Sequence, residues 1–287
     1  MRIQHNIAAL NSYKNLSSNN NTVSKSLEKL SSGYRINRAG DDAAGLAISE
    51  KMRAQITGLE TASKNANDGI SLIQTAEGSL TEVHSMLNRM VELAQQSANG
   101  TYEDSVDRGN LQQEFDALST EIDRISTTTS FNGKKLLNGD LDGKNVSGTK
   151  VAALTLQIGA TSTADDQIAL NIDAMNTTSL GINKTADSVD ITTASKASAA
   201  AEKVKAAIDK VSTARGKLGA VQNRLEHTIN NLSVASENMT AAESRIRDVD
   251  MAKEMMSYTK NNILVQASQA MLAQANQVPQ GVLQLLK

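Results

Sequence analysis

Residues 244–287 read SRIRDVDMAKEMMSYTKNNILVQASQAMLAQANQVPQGVLQLLK, and their spacing decides the fold. Apolar side chains recur at three- and four-residue steps: Met251, Met255 and Tyr258, then Ile263, Ala267, Ala270, Leu272, Val278, Val282, Leu285 and Leu286. That is the stripe of an amphipathic helix, with nothing nearby in sequence to cover it. The opposite end of the chain carries a similar stripe: Ile3, Ile7, Leu10, Leu16, Val23, Leu27 and Leu30. Two amphipathic ends separated by most of the chain predict that they pair with each other. Apolar surface left over is then available to other copies of the chain. Pro279, the sole proline, sits close to the end, where a kink or helix stop disturbs the fewest hydrogen bonds.

Composition supports helix on helix. One proline in 287 residues leaves most of the chain without the strongest helix breaker. Aromatics are 2 %, with two Phe and no Trp, so the core is built from Ala, Leu, Ile, Val and Met. There is no cysteine, which excludes disulfides and thiol chemistry. A net charge of −2 gives no field for a polyanion, so no nucleic-acid partner is expected. No apolar run is long enough to span a membrane. The start, MRIQHNIAALNSYKNLSSNN, lacks the continuous apolar core and small-residue cleavage site of a secretory signal. If the protein is exported, another route must recognise it.

In chain order, residues 1–32 read as a helix with an interruption near Ser17–Asn21, where Ser and Asn cluster. Gly33, Gly40 and Gly45, with Arg35 and Arg38 near Asp41 and Asp42, read as a connector. One of the two aspartates is expected to cap the next helix. From residue 43 to 99, Leu59, Ala66, Ile73, Leu80, Leu87 and Ala94 fall at steps of seven. Ala62, Gly69, Ala76, Val83 and Met90 lie three later, completing a coiled-coil seam. A second helix, 104–127, carries Leu111, Phe115, Leu118, Ile122 and Ile125, and predicts a helical hairpin. Asn132-Gly133, Asn138-Gly139 and Asp142-Gly143 mark turns. Leu154, Leu156 and Ile158, then Ile168, Leu170 and Ile172, alternate as two strands of a hairpin. Sequence to Thr193 reads as loop. Residues 194–239 are helix again, with Val204, Val211, Leu218, Leu225, Leu232 and Met239 at steps of seven, supplemented by Ile208, Val221 and Ile229. The fold class is mainly α: a long coiled-coil-like helical bundle with paired N- and C-terminal helices and a small β-hairpin region. The expected division is 1–42 with 245–287, then 43–129 with 194–244, then a β-rich, turn-rich segment, 130–193. At about 1.5 Å per residue the longest helix makes the expected subunit a rod.

Four stretches resemble bacterial flagellin in its short form: MRIQHNIAALNSYKNL, SSGYRINRAGDDAAGLAISEKMRAQI, LNRMVELAQQSANGTY with EIDRI and TSFNGKKLL, and MLAQANQVPQGVLQLL. The resemblance runs in order over residues 1–140 and 195–287. It implies a subunit of the flagellar filament, extracellular, with the terminal helices forming an inner tube. The assembly residues are then Ile3, Ile7, Leu10, Val23, Leu27, Leu30, Ile263, Leu272, Val278, Val282, Leu285 and Leu286, and the connector residues Arg35, Arg38, Asp41 and Asp42. It also implies unfolded passage through the flagellar type III export apparatus, a chaperone on the C-terminal helix, and hook-associated and cap proteins as further partners. Its receptor-binding Arg, Leu and Glu map to Arg89, Leu93 and Glu114, implying a ligand of Toll-like receptor 5. Asn88, Met90 and Val91 depart from the family's usual residues beside that triad. A filament-junction or cap protein is the competing class, and the ANQVPQ ending and full connector weigh against it.

Catalysis has little support. His5, His84 and His227 lie in separate segments, and no H-E-x-x-H, nucleophile elbow or phosphate-cradling glycine loop occurs. The adjacent aspartates of GDDAAG serve more simply as a helix cap. No metal or cofactor is expected.

Overall fold

A computed structural model describes residues 6–103, 106–141, 145–146, 149–150, 153–161, 163–183 and 189–285. Of residues 145–146, 149–150 and 279–285 it describes the backbone alone. The chain divides into two compact units. One comprises Met1–Ile56 with Glu237–Lys287, the other Thr57–Ser236.

The first unit contains α1 (Ile7–Ser32), the connector, the start of α2 (Ala43–Ala98), the end of α5 (Ala194–Arg247) and α6 (Met251–Leu285). Helix α1 is continuous. The expected break at Ser17–Asn21 is absent, and the polar side chains find partners that leave the helix intact: Thr22 Oγ1 donates to Ser18 O of the same helix at 3.0 Å, and Asn19 Nδ2 to Ser268 Oγ of α6 at 3.3 Å. Gly33 ends α1 in the left-handed conformation, φ 76°, where its N–H caps Lys29 O. Asp42 caps α2 by accepting from Gly45 N at 2.8 Å. A side chain at Gly45 would collide with Ile36 and with Asp42 itself, so this first turn requires glycine. Pro279 does not stop α6, whose backbone stays helical to Leu285.

The second unit holds α3 (Asp107–Thr128) and α4 (Thr177–Leu180), the remainders of α2 and α5, and three two-stranded antiparallel pairs. Strands β1 (Ser130–Phe131) and β2 (Lys134–Lys135) join through Asn132 and Gly133, both at positive φ, as Asn-Gly predicts. Strands β3 (Asn145–Val146) and β4 (Thr149–Lys150) pair next. Strands β5 (Leu154–Gln157) and β6 (Gln167–Leu170) form the expected hairpin, with Leu156 opposite Ile168.

Heptad positions of α2 and α5 form the core of this unit. Ile73, Leu80, Val83, Leu87 and Met90 meet Val204, Val211, Leu218 and Leu225 in one buried cluster with Phe115 and Ile122 of α3. Each such side chain contributes about 1.5–3 kcal/mol by leaving water. On α5 the second seam position is Ala207 and Ala214, both buried, while the expected Ile208 packs at the edge. Alanine there lets helices approach closely.

The sequence up to Thr193 is not a free loop. Ile172, Met175, Leu180, Ile182, Val189 and Ile191 are all buried in the same cluster. Its backbone is tied by Ile172 N to Leu141 O at 3.0 Å, Met175 N to Leu137 O at 2.9 Å, and Thr177 N to Asp123 Oδ1 at 2.8 Å. Beyond Ile172, which continues the alternation of the second strand, these apolar residues sustain neither a helical nor a strand period, which hides them from a periodicity search. Asp190 holds the entry to α5, accepting from Lys196 Nζ and Thr192 N, each at 2.8 Å. Burial pushes its carboxyl up, but the bonds from Lys196 and Thr192 together outweigh that and lower it from 3.8 to about 2. A depressed carboxylate stabilises the fold above its unfolded pKa, and that contribution disappears as pH falls from 3.8 through about 2. Asp190→Asn therefore costs about 1 kcal/mol at neutral pH, since Lys196 is largely solvated, and flattens stability over that acid window. Urea melts of both proteins at stepped pH measure the difference; parallel curves would refute it.

Candidate assembly and recognition surfaces

Helices α1 and α6 run antiparallel: Asn6 Nδ2 donates to Ala275 O at 2.7 Å, and Tyr34 bridges Asp248 at the other end. The covered face of α1 is Ala9, Ser12, Leu16, Asn19, Val23, Ser26 and Leu30, at alternating steps of three and four. The covered face of α6 includes Glu254, Ser257, Tyr258, Asn261, Val265, Ser268, Leu272 and Ala275. This is a heptad seam, yet half of it is small or polar. The large apolar residues point elsewhere: Ile7 is 60 % exposed, Leu10 59 %, Leu27 53 %, Ile263 60 % and Val278 51 %. Tyr13, Met255, Met256, Leu264 and Met271 are exposed with them. Of the assembly residues expected from sequence, Val23, Leu30 and Leu272 thus lie half-buried in the seam, while Ile7, Leu10, Leu27, Ile263 and Val278 are each more than half exposed. Ile3 and Leu286 lie outside the described residues, as do the side chains of Val282 and Leu285.

The connector packs against the junction of α5 and α6. Arg35 N donates to Arg247 O at 2.7 Å, and Val249 N donates back to Gly33 O at 3.0 Å. The Arg247 guanidinium lies 4.7 Å from the Tyr34 ring centroid and donates to Glu50 at 2.6 Å. Arg53 lies 6.0 Å from the same ring and 3.7 Å from Glu243. Such cation–ring contacts are worth about 0.5–2 kcal/mol each. Of the expected connector residues, Arg35 reaches Ile246 O, Arg38 pairs with Glu28 at 2.9 Å, Asp41 accepts from the N–H groups of Asn37 and Arg38, and Asp42 caps α2. The Arg38 N–H is the main influence holding Asp41 below the usual carboxylate range. The sequence reading missed Tyr34, Arg53, Glu243 and Arg247. Their signal was slight: an aromatic beside the glycine that ends α1, in a chain with four tyrosines.

In the second unit Arg89 of α2 and Glu114 of α3 meet on the surface, Nε to Oε1 at 2.8 Å, with Glu92 on the other side of the guanidinium at 3.1 Å. Both Arg89 and Glu114 are nearly half exposed. Leu93 is not on that surface. It is 0 % exposed and belongs to the core cluster, so in this conformation it supports the patch from beneath.

Buried Arg108 was also missed. Its Nε donates to Ser97 O at 2.8 Å and its Nη2 to Asn99 O at 2.9 Å, satisfying carbonyls at the end of α2. No group of three or more metal-ligating side chains occurs among the described residues.

Residues 3–142 match the family model for the bacterial flagellin N-terminal helical region, and residues 201–286 the model for its C-terminal helical region. A flagellin of Bacillus subtilis is 58 % identical over the full length of both chains. A flagellar filament 33 kDa core protein of Treponema phagedenis is 49 % identical, again over the full length of both. Among solved structures, a chain described as a flagellar hook-associated protein from Vibrio parahaemolyticus superposes with a TM-score of 0.57, over 72 % of this chain and 100 % of that one. At 13 % identity this shows a shared fold alone. Paired terminal helices, a heptad bundle and full-length identity agree: the chain belongs to the bacterial flagellin family.

Proposed function

We propose that the protein is the structural subunit of a bacterial flagellar filament and polymerises through the outward faces of α1 and α6. The family is one of filament proteins, not enzymes. The observation that carries the assembly reading is the inversion of the terminal pair. A seam in which Ser and Asn alternate with Leu16, Val23, Leu30, Val265 and Leu272 holds the two helices together, while Ile7, Leu10, Ile263, Leu264, Met271 and Val278 stay largely in water. So much exposed apolar surface marks an interaction site. Repetition of one heterologous contact that does not close gives a helical fibre. In the filament the terminal helices form the inner tube, and the ends of the polymer meet hook-associated and cap proteins.

The same surface supports the rest of the reading. An apolar helix face is an aggregation hazard until covered, so a chaperone holds α6 before the subunit passes, unfolded, through the flagellar type III apparatus to the cell exterior. Purified protein taken through a polymerisation step should give filaments of uniform width by negative-stain microscopy. Their absence would overturn the assignment.

A second reading concerns Toll-like receptor 5. Arg89 and Glu114, joined at 2.8 Å on a solvent-facing surface, form the contact, and Leu93 holds α2 and α3 in place below them. In a receptor-reporter assay Arg89→Ala should shift the dose response to higher concentration by roughly tenfold, the size of one lost charge-assisted contact. An unchanged curve removes Arg89 from the contact.

A further inference from the structure

We infer that Asn99 is a self-modifying position: its side-chain amide is lost to attack by the Gly100 nitrogen, and Arg108 promotes the reaction. The chain has three Asn-Gly pairs, 99–100, 132–133 and 138–139, whose intrinsic chemistry is the same. Their surroundings are not.

Deamidation at Asn-Gly begins when the backbone N–H of the glycine loses its proton. The resulting negative charge is shared between that nitrogen and the carbonyl oxygen of the preceding asparagine. The nitrogen then bonds to Cγ of the asparagine side chain, the Cγ–Nδ2 bond breaks, and the amide nitrogen leaves as ammonia after taking up a proton. Water opens the cyclic imide to aspartate or isoaspartate. The sum is one amide and one water giving one acid and one ammonia.

At Asn99 the oxygen that takes up charge is already an acceptor from Arg108 Nη2, at 2.9 Å. A guanidinium donor fixed by burial stabilises charge developing on that oxygen as an oxyanion hole does, without reorganising. Arg108 is 4 % exposed, and its Nε is anchored on Ser97 O. The surroundings also leave the pair room to move. Asn99 and Gly100 are exposed, and no atom lies within 4 Å of the position a Gly100 side chain would take. Among the described residues neither the Asn99 side chain nor the Gly100 N–H has a hydrogen-bond partner.

The other two pairs are held away from reaction. Asn132 is held in the two-residue turn between β1 and β2, and the pairing of Phe131 with Lys134 on either side restricts the ψ rotation that would carry the Gly133 nitrogen towards its side chain. The Asn138 side chain is bonded at both ends to Asp140, Nδ2 to Oδ2 at 2.6 Å and Oδ1 from N at 3.0 Å. The Asp140 carboxylate there opposes a developing anion.

The test is peptide mapping by mass spectrometry of full-length protein aged in mildly alkaline buffer, natively and in urea, with isoaspartate read by methyltransferase labelling. In the folded protein Asn99 should convert roughly tenfold faster than Asn132 or Asn138, and in urea the three rates should converge. Arg108→Gln should slow Asn99 by about the same factor and leave Asn132 unchanged. Equal rates at the three sites in the folded wild type, or a gap that persists in urea, would overturn the proposal. So would an unchanged Asn99 rate in Arg108→Gln that keeps its helical circular dichroism. Should that variant unfold, the wild-type comparison decides alone.

Discussion

Replacing Ile263 and Leu264 with aspartate abolishes filament formation. The two side chains are 60 % and 40 % exposed on α6. In the monomer the exchange therefore places charge where water already reaches at Ile263 and at the edge of the seam at Leu264, and the melts show how far the fold tolerates it. At a subunit contact the same carboxylates must be dehydrated without partners, at a cost of several kcal/mol each. In a helical polymer every added subunit bears that cost, so the critical concentration rises beyond reach. The conservative Ile263→Val should still polymerise. Sedimentation of polymer from monomer, paired with thermal melts of the full chain, provides the measurement. Filaments at wild-type concentration in the double variant would show that this face does not carry assembly.

Leu93→Ala destabilises the protein by about 2–5 kcal/mol, the usual cost of truncating a leucine in a packed core. The residue is 0 % exposed and sits among Met90, Ala94, Phe115 and the rest of the cluster. Arg89→Ala and Glu114→Ala, by contrast, change stability by at most about 1 kcal/mol, because their ion pair is solvated. Urea titrations of the three variants separate the classes; a Leu93→Ala midpoint within error of wild type would place Leu93 outside the core. The contrast matters for receptor assays. Loss of signalling in Leu93→Ala reports on packing beneath the patch as much as on contact. Leu93→Met, which nearly conserves volume, is the fairer probe.

Leu93 also shows what heptads reveal and what they hide. Steps of seven from Ile73 to Leu87 and from Val204 to Leu225 gave the bundle and its two long helices. A single seam, however, places position 93 at its margin. The buried face of α2 is wider than one seam, taking in Leu72, Leu93 and Ser97 beside Met90 and Ala94, because α3, α5 and the 172–191 segment all contribute to the cluster around it. Sequence period reports one packing direction, and several neighbours erase the distinction between seam and flank.

The terminal pair misleads in the opposite sense. Its apolar stripes were legible, but they mix residues of the closed seam, such as Val23, Leu30 and Leu272, with residues left open, such as Ile7, Leu10 and Ile263. The face that closes the pair intersperses its Leu and Val with Ser12, Asn19, Ser26, Ser257, Asn261 and Ser268, residue types that seldom signal a core. The clamp on Tyr34 was illegible for another reason. Arg53, Glu243 and Arg247 come from distant parts of the chain, and only the fold makes them neighbours.

Distance along the chain has a kinetic side. Asn6 bonds Ala275 across 269 positions, so joining these ends from an open coil means closing the longest loop the sequence offers. Loop closure costs entropy that only many simultaneous contacts recover, and a seam half of small or polar residues recovers it slowly. Local helices and the heptad core therefore form first and shorten that loop. The reciprocal hydrogen bonds between residues 33–35 and 247–249 then set the register from which α1 and α6 zip. The two helices farthest apart in the sequence are the last to find each other.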